Sequence, residues 1–96
     1  MRTHPATRAR ANGVPPRYRV ILATGTALPR DFIIDVMRTA FSLHPAAAAV
    51  ADQVLRTHGE VALPASTREI AETRASAAYN AARARNHILH CHLQAV

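Results

Sequence analysis

The chain has 96 residues, which suffices for one compact domain. Its twelve basic residues are all arginine and outnumber six acidic ones, so the net charge is +6 and acidic or nucleic-acid partners are favoured. No stretch approaches the ~18 apolar residues of a membrane span, the start is too polar for a secretory signal, and a single cysteine excludes an internal disulfide. We therefore expect a cytoplasmic protein.

The first third of the chain predicts an arm, a strand and a helix. Residues 1–16 combine prolines, a glycine and low hydrophobicity, which is typical of a flexible arm. Residues 18–23 (YRVILA) are apolar, partly β-branched and followed by Gly25, so they predict a buried strand. Pro29 suits the first position of a helix, and the apolar residues after it recur at helical spacing. We predict that this helix ends near Leu43.

A second helix is predicted over residues 45–58, where a proline opens an alanine-rich run and Gly59 ends it. The larger apolar side chains of this helix are Val50, Val54 and Leu55. A strand of about five residues follows and is closed by Pro64.

A third helix is predicted over residues 66–86, because Ser66 and Glu69 have the spacing of a capping box. Residues 87–93 (HILHCHL) then alternate as a last strand. One face of that strand carries Leu89, Cys91 and Leu93, and the other carries Ile88, His90 and His92.

The order of these elements, β-α-α-β-α-β, predicts the fold class. It favours an α+β two-layer sandwich in which the helices cover one face of a small antiparallel three-stranded sheet. We expect residues 17–96 to form this domain.

The sequence carries no set of residues that indicates catalysis. A metal site formed by His87, His90, Cys91 and His92 is the most tempting alternative, but Cys91 points away from its neighbours, and two exposed histidines beside a buried thiol explain the cluster better. No nucleophile, acid and base can be assembled, and the stretch TGTALPR lacks the second glycine and the lysine of a phosphate loop. We predict no enzymatic activity, no metal and no cofactor.

Nucleic-acid binding is an alternative function that rests on charge. Arg83 and Arg85 near the end of the third helix, together with the basic arm, could contact phosphates. No aromatic stacking platform accompanies them, and arginines in a last helical turn also complement the helix dipole.

Two stretches of the sequence resemble the ClpS family. The stretches similar to the family's motifs are YRVIL, followed after five residues by LPRDFIIDVM, and TREIAETR further on. Members of the family are small adaptors that dock on the N-terminal domain of the unfoldases ClpA or ClpC and deliver substrates bearing N-degrons. The similarity runs from about Tyr18 to Leu93. It implies the ClpS fold, shared with the C-terminal domain of the ribosomal stalk protein, and a monomer.

The resemblance implies a docking surface on the third helix. In the family, a Glu early in this helix and a Lys five residues later contact the unfoldase. The matching residues here are Glu69 and Arg74, so both charges are retained.

The resemblance also places an N-degron pocket, and here the sequence departs from the family. The matching positions are Thr24, Gly25, Thr26, Arg30, Ile33, Asp52, Leu55 and Arg56. The family has Asn-Asp-Asp at the first three positions, a His where Arg56 stands, and methionines where Arg30 and Asp52 stand. Ile33 and Leu55 keep the apolar lining.

This exchange changes what the pocket can hold. A buried ammonium group requires anionic or carbonyl acceptors, and threonine hydroxyls supply no counter-charge. Asp52 either pairs with Arg30 or Arg56, or supplies the missing acceptor itself. We therefore expect weakened or altered recognition of N-degrons, or, as an alternative, binding of an acidic or blocked N-terminus.

Overall fold

A computed structural model describes residues 15–96. The elements follow in the order β1 (Tyr18–Ala23), α1 (Arg30–Thr39), α2 (Pro45–His58), β2 (Glu60–Ala62), α3 (Arg68–Ala84) and β3 (His90–Ala95). The predicted α+β class and the β-α-α-β-α-β order are confirmed. Most of the predicted flexible arm, residues 1–14, lies outside the described residues.

The three strands form one antiparallel sheet in the order β2-β1-β3. β1 lies in the centre, with Leu22 opposite Val61 on one side and opposite Cys91 on the other. Val20 and Leu22 face the helices and are buried, which is expected for a central strand with apolar side chains. The predicted bounds of this strand, 18–23, are confirmed.

The core is filled from α1, whose apolar residues recur at three- and four-residue intervals. Its buried side chains are Phe32, Ile33, Val36 and Met37. Pro29 precedes the helix as its N-cap, one position earlier than predicted, and its carbonyl accepts the amide of Ile33 at 3.1 Å.

The predicted end of α1 near Leu43 is wrong. The helix ends at Thr39, Ser42 has a φ of 56°, and the amide of Leu43 turns back to the carbonyl of Met37 at 3.0 Å. Phe41 is buried from within this turn. The apolar pattern therefore continued beyond the helix because the turn also contributes to the core.

The predicted bounds of α2, 45–58, are confirmed. The Nδ1 of His44 accepts the amide of Ala46 at 3.2 Å, and Gly59 ends the helix in the left-handed region at a φ of 81°. Of the three larger apolar side chains of this helix, Leu55 is buried and Val54 is partly buried, whereas Val50 is 63% exposed. The small residues Ala48 and Ala51 face the core instead, with Asp52 and Leu55.

The last three predicted elements begin or end elsewhere, and the last strand, β3, covers residues 90–95 and not the predicted 87–93. The strand before Pro64 is only three residues long, Glu60–Ala62. The predicted capping box is wrong, because Thr67 is the N-cap of α3 and its hydroxyl accepts the amide of Ile70 at 3.2 Å. Ser66 cannot cap, since its backbone pairs with that of Tyr18. On β3 the predicted alternation is retained: Leu89 just before the strand is buried, and Cys91 and Leu93 are partly buried.

Candidate functional site

A cavity of about 230 Å³ lies between the β1–α1 loop and the second half of α2. The loop contributes residues 24–28, α1 contributes Ile33, and α2 contributes Asp52, Leu55 and Arg56. The loop is held beside the end of α2 because the amide of Thr24 donates to the carbonyl of Gly59 at 3.2 Å. Strand pairing and one backbone hydrogen bond thus bring Leu28 and Arg56, which are 28 positions apart, to one site.

Asp52 is the most constrained charge of the cavity. Its side chain is 3% exposed, and both carboxylate oxygens accept hydrogen bonds from Arg56, one from Nε at 3.2 Å and one from Nη2 at 3.1 Å. The Nε of Arg30 lies 3.5 Å from Oδ2 of the same carboxylate. A buried carboxylate is tolerated only where such partners offset its lost hydration, so this ion triad is a structural element of the pocket.

Arg56 is fixed by a third contact as well. Its Nη2 also donates to the carbonyl of Leu28 at 3.2 Å, which ties α2 to the loop. The planar guanidinium group can satisfy a carboxylate and a carbonyl at once, because its donors point in fixed and diverging directions. Of the two alternatives for Asp52, pairing with the arginines is the one that the structure shows.

The hydroxyl of Thr24 is used inside the loop. Its Oγ1 lies 2.9 Å from the carbonyl of Thr26 and 3.4 Å from the carbonyl of Ile88, and it accepts the amide of Thr26 at 3.3 Å. This is the hydrogen-bonding pattern by which a threonine side chain stabilises a turn. Gly25 between the two threonines is exposed, and a Cβ built on it would meet no atom within 4 Å.

Seven of the eight residues expected at the pocket line this cavity. Arg30 does not line it, although its guanidinium group reaches Asp52 from the start of α1. The sequence did not indicate Ala27, Leu28 and Gly59, which also line it. Leu28 contributes its backbone carbonyl to the site, and the type of its side chain does not indicate that this carbonyl would bind Arg56.

A second, shallower groove lies on the exposed side of α3. It has a volume of about 390 Å³ and is lined by Glu69, Ile70, Thr73 and Arg74. Ile70 is 43% exposed between the two charged residues. Within residues 15–96, the ion pairs involve other side chains, the one on this helix being Arg68 with Glu72 at 3.3 Å. The groove therefore presents both signs of charge and an apolar side chain to solvent.

The histidine and cysteine cluster does not form a site in the described part of the chain. Among residues 15–96, no group of three or more His, Cys, Asp or Glu side chains is placed to hold a metal ion. Burial raises the pKa of the Cys91 thiol from 9.0 to about 11, so the thiol is protonated at neutral pH. His87 packs against Phe32 with ring centroids 4.8 Å apart.

No helix in residues 15–96 has the length and apolar character needed to cross a membrane.

Three helices on a three-stranded sheet, with a charged cavity beside the β1–α1 loop, define a small α+β domain. Residues 14–92 match the family model described as "ATP-dependent Clp protease adaptor protein ClpS". The chain belongs to the ClpS family, whose members are protease adaptors and not catalysts.

Two individual proteins illustrate this relationship. The ATP-dependent Clp protease adapter protein ClpS of Hydrogenovibrio crunogenus is 30% identical over 82 residues, which cover 85% of this chain and 79% of the relative. The fold is similar to the solved structure of Agrobacterium tumefaciens ClpS2 bound to L-phenylalaninamide, with a TM-score of 0.79 and 22% identity over 86% of this chain and 100% of the other.

Proposed function

We propose that this ClpS-family adaptor docks on the N-terminal domain of a ClpA- or ClpC-type unfoldase through the groove on α3, and that its pocket recognises free hydrophobic N-termini weakly or not at all. The observation that supports the cargo half of this proposal is the buried carboxylate of Asp52. Arg56 donates to both of its oxygens, and the Nε of Arg30 lies 3.5 Å from one of them. In such an adaptor the docking function and the cargo function are separable.

The docking half of the proposal is supported by the position of two charges. Glu69 and Arg74 line one groove with the exposed Ile70 between them, and they match the family's contact residues. An apolar centre flanked by charges is the usual composition of a small protein–protein contact, in which the charges set orientation and association rate. Exposed charges of this kind contribute little to the fold itself.

Capture by an isolated Clp unfoldase N-terminal domain tests the docking surface. We expect the full chain to be captured and the Glu69→Ala variant to bind about tenfold more weakly, which corresponds to about 1.4 kcal/mol. Asp35→Ala is the matched control, because it removes the same charge from an exposed position on α1. Equal capture of wild type and Glu69→Ala would remove Glu69 from the docking surface.

The cargo half follows from the electrostatics of the pocket. An ammonium group would enter a site with two guanidinium groups and one carboxylate that is already paired. The repulsion between two unit charges 4 Å apart is about 4 kcal/mol at an effective dielectric constant of 20, and one Asp52 offsets only one of the two arginines. The threonine hydroxyls add hydrogen-bond acceptors but no charge.

A direct titration tests this half. Agrobacterium tumefaciens ClpS2 binds L-phenylalaninamide, which carries a free amino group and an aromatic side chain. We expect fluorescent peptides that begin with free Leu, Phe, Tyr or Trp to bind this chain with a Kd above about 100 μM, or more weakly than −5.5 kcal/mol. A micromolar or tighter Kd would show that the altered pocket still accepts an ammonium group.

A further inference from the structure

The charged groups of the pocket leave hydrogen-bond donors free for a ligand. Within residues 15–96, Nη1 of Arg56 and the two terminal nitrogens of Arg30 contact no acceptor. The charged acceptor of the pocket, in contrast, is occupied: both oxygens of Asp52 receive guanidinium donors, and Oγ1 of Thr24 receives the amide of Thr26. A ligand that pairs with the free guanidinium donors must therefore bring acceptors.

The net charge of the triad points to the same kind of ligand. Two guanidinium groups share one carboxylate, so one positive charge is uncompensated. Arg30 is 63% exposed and Arg56 is 36% exposed, whereas Asp52 is 3% exposed. The positive groups are thus accessible from solvent, whereas the negative group is buried.

We propose that this pocket binds a peptide end that carries a carboxylate group and no free ammonium group. This inference rests on the proposed function, in which free hydrophobic N-termini bind weakly. The Nη1 of Arg56 and the two terminal nitrogens of Arg30 donate to the ligand carboxylate, in the charge-assisted hydrogen bonds that guanidinium groups form with carboxylates. Asp52 remains bound behind them and holds Arg56 in place.

The rest of the cavity suits the short apolar stem of a carboxylate-bearing side chain. Ile33 and Leu55 are buried and form an apolar wall, and the cavity of about 230 Å³ has room for a few methylene groups. Arg30 has a single contact of 3.5 Å with Asp52 and is largely exposed, so it can turn toward a ligand at little cost.

A carboxylate fits this site better than a phosphate group. The single uncompensated charge matches a monoanion, whereas a phosphate at neutral pH carries between one and two negative charges. Arg56 also has only one of its terminal nitrogens left, because the other donates to Asp52 and Leu28. It can therefore offer one nitrogen to a ligand oxygen, and the match in charge is what favours a carboxylate over a phosphate.

Two kinds of peptide end have this chemistry, and an experiment can distinguish them. One is an acetylated N-terminal Glu or Asp, in which the side chain carries the carboxylate. The other is a free C-terminal α-carboxylate. Fluorescence anisotropy with the full chain compares four peptides on one uncharged body: acetyl-Glu and acetyl-Gln with amidated C-termini, acetyl-Gln with a free C-terminus, and free Leu with an amidated C-terminus.

We expect at least one carboxylate peptide to bind about tenfold more tightly than the acetyl-Gln amide, and Arg30→Gln to remove most of this difference. Arg38→Gln is the matched control, because it removes the same charge from an exposed position near the other end of α1. Inorganic phosphate is added as a competitor and should displace the peptide only at high concentration. Unfolding curves of each variant verify that the fold is kept.

The outcomes separate this inference from the function on which it rests. Equal binding of the carboxylate peptides and the acetyl-Gln amide, retention of the difference in Arg30→Gln, or preferential binding of phosphate would each overturn the carboxylate site and leave the weak N-degron binding intact. Tight binding of the free Leu peptide would overturn the proposed cargo function itself.

Discussion

The pocket beside α2 and the groove on α3 both carry charged side chains, but they use them in opposite ways. In the pocket, Asp52 and Arg56 bind each other and the loop, and the carboxylate is buried. In the groove, Glu69 is exposed and Arg74 is half-buried, and neither takes part in the ion pairs found within residues 15–96. A buried charge needs its partner for the fold to be stable, whereas charges outside such pairs remain available to another protein.

The largest effect that would test this comparison is on stability. Arg56→Ala leaves the buried Asp52 with only the 3.5 Å contact to Arg30, so we expect the free energy of unfolding in urea to fall by about 3 kcal/mol. Arg38→Ala removes an exposed charge and should change it by less than about 0.5 kcal/mol.

A double variant separates the lost ion pair from lost packing. Asp52→Leu with Arg56→Leu removes both charges together, and the unfolding free energy should recover most of the loss because no unpaired charge stays buried. A small loss in Arg56→Ala would mean that Asp52 needs no partner, and the contrast between the two regions would then disappear.

The next largest effect is a gain of binding. Restoring the family's polar residues with Thr24→Asn, Gly25→Asp and Arg56→His should tighten binding of a peptide with a free N-terminal Phe about tenfold, or by about 1.4 kcal/mol. Gly25 can take the aspartate, since a Cβ there meets nothing within 4 Å. The matched control carries Gly25→Asn, which has the same size without the charge.

Comparing the variant that carries Gly25→Asp with the one that carries Gly25→Asn tests whether the missing negative charge of the loop causes weak binding of free N-termini. If the variant with Asp gains no more affinity than the one with Asn, the loss of the acidic loop does not explain weak recognition of free N-termini.

On the α3 side, we expect the helix cap and not the charges to affect stability. Thr67→Ala removes the side-chain acceptor of the Ile70 amide and should lower the unfolding free energy by about 1 kcal/mol. Glu69→Gln and Arg74→Gln should each change it by less than about 0.5 kcal/mol while weakening capture by the unfoldase domain. A larger loss of stability in either charge variant would assign that charge to the fold.

The smallest effect concerns Cys91, which lies on β3 and serves as a reference outside both regions. Because burial raises its pKa from 9.0 in the unfolded chain to about 11, its contribution to stability is complete below pH 9 and is lost as the pH rises through 11. Stability should therefore fall slightly more steeply over that range in wild type than in Cys91→Ala. Identical pH curves would mean that the thiol is not buried in solution.

Local sequence patterns determined much of the fold. Apolar residues bounded by turn residues fixed β1 at 18–23, and a proline start with a glycine stop fixed α2 at 45–58. These predictions succeeded because an apolar run bounded by turn residues and a left-handed glycine cap are both visible in residues that are adjacent in the chain.

Tertiary contacts decided the features that the sequence misplaced. Ser66 has the spacing of a cap, but its backbone pairs with Tyr18, so α3 starts one residue later at the Thr67 cap. The helical pattern of α1 continues to Phe41, yet the chain turns before it. At α3 a long-range backbone contact prevailed over a local capping preference of about 1 kcal/mol. At α1 the turn at Ser42, from which Phe41 is buried, ended the helix.

The pocket, like the fold, was determined partly by the local sequence and partly by tertiary contacts. The sequence determined which charges it contains and, through the spacing of Asp52 and Arg56 by four residues on one helix, that they could meet. Only the tertiary structure decided that Asp52 is buried, that Arg30 reaches it from another helix, and that the carbonyl of Leu28 anchors Arg56. Burial is the physical reason, because the partner that a charge takes depends on whether water can still reach it.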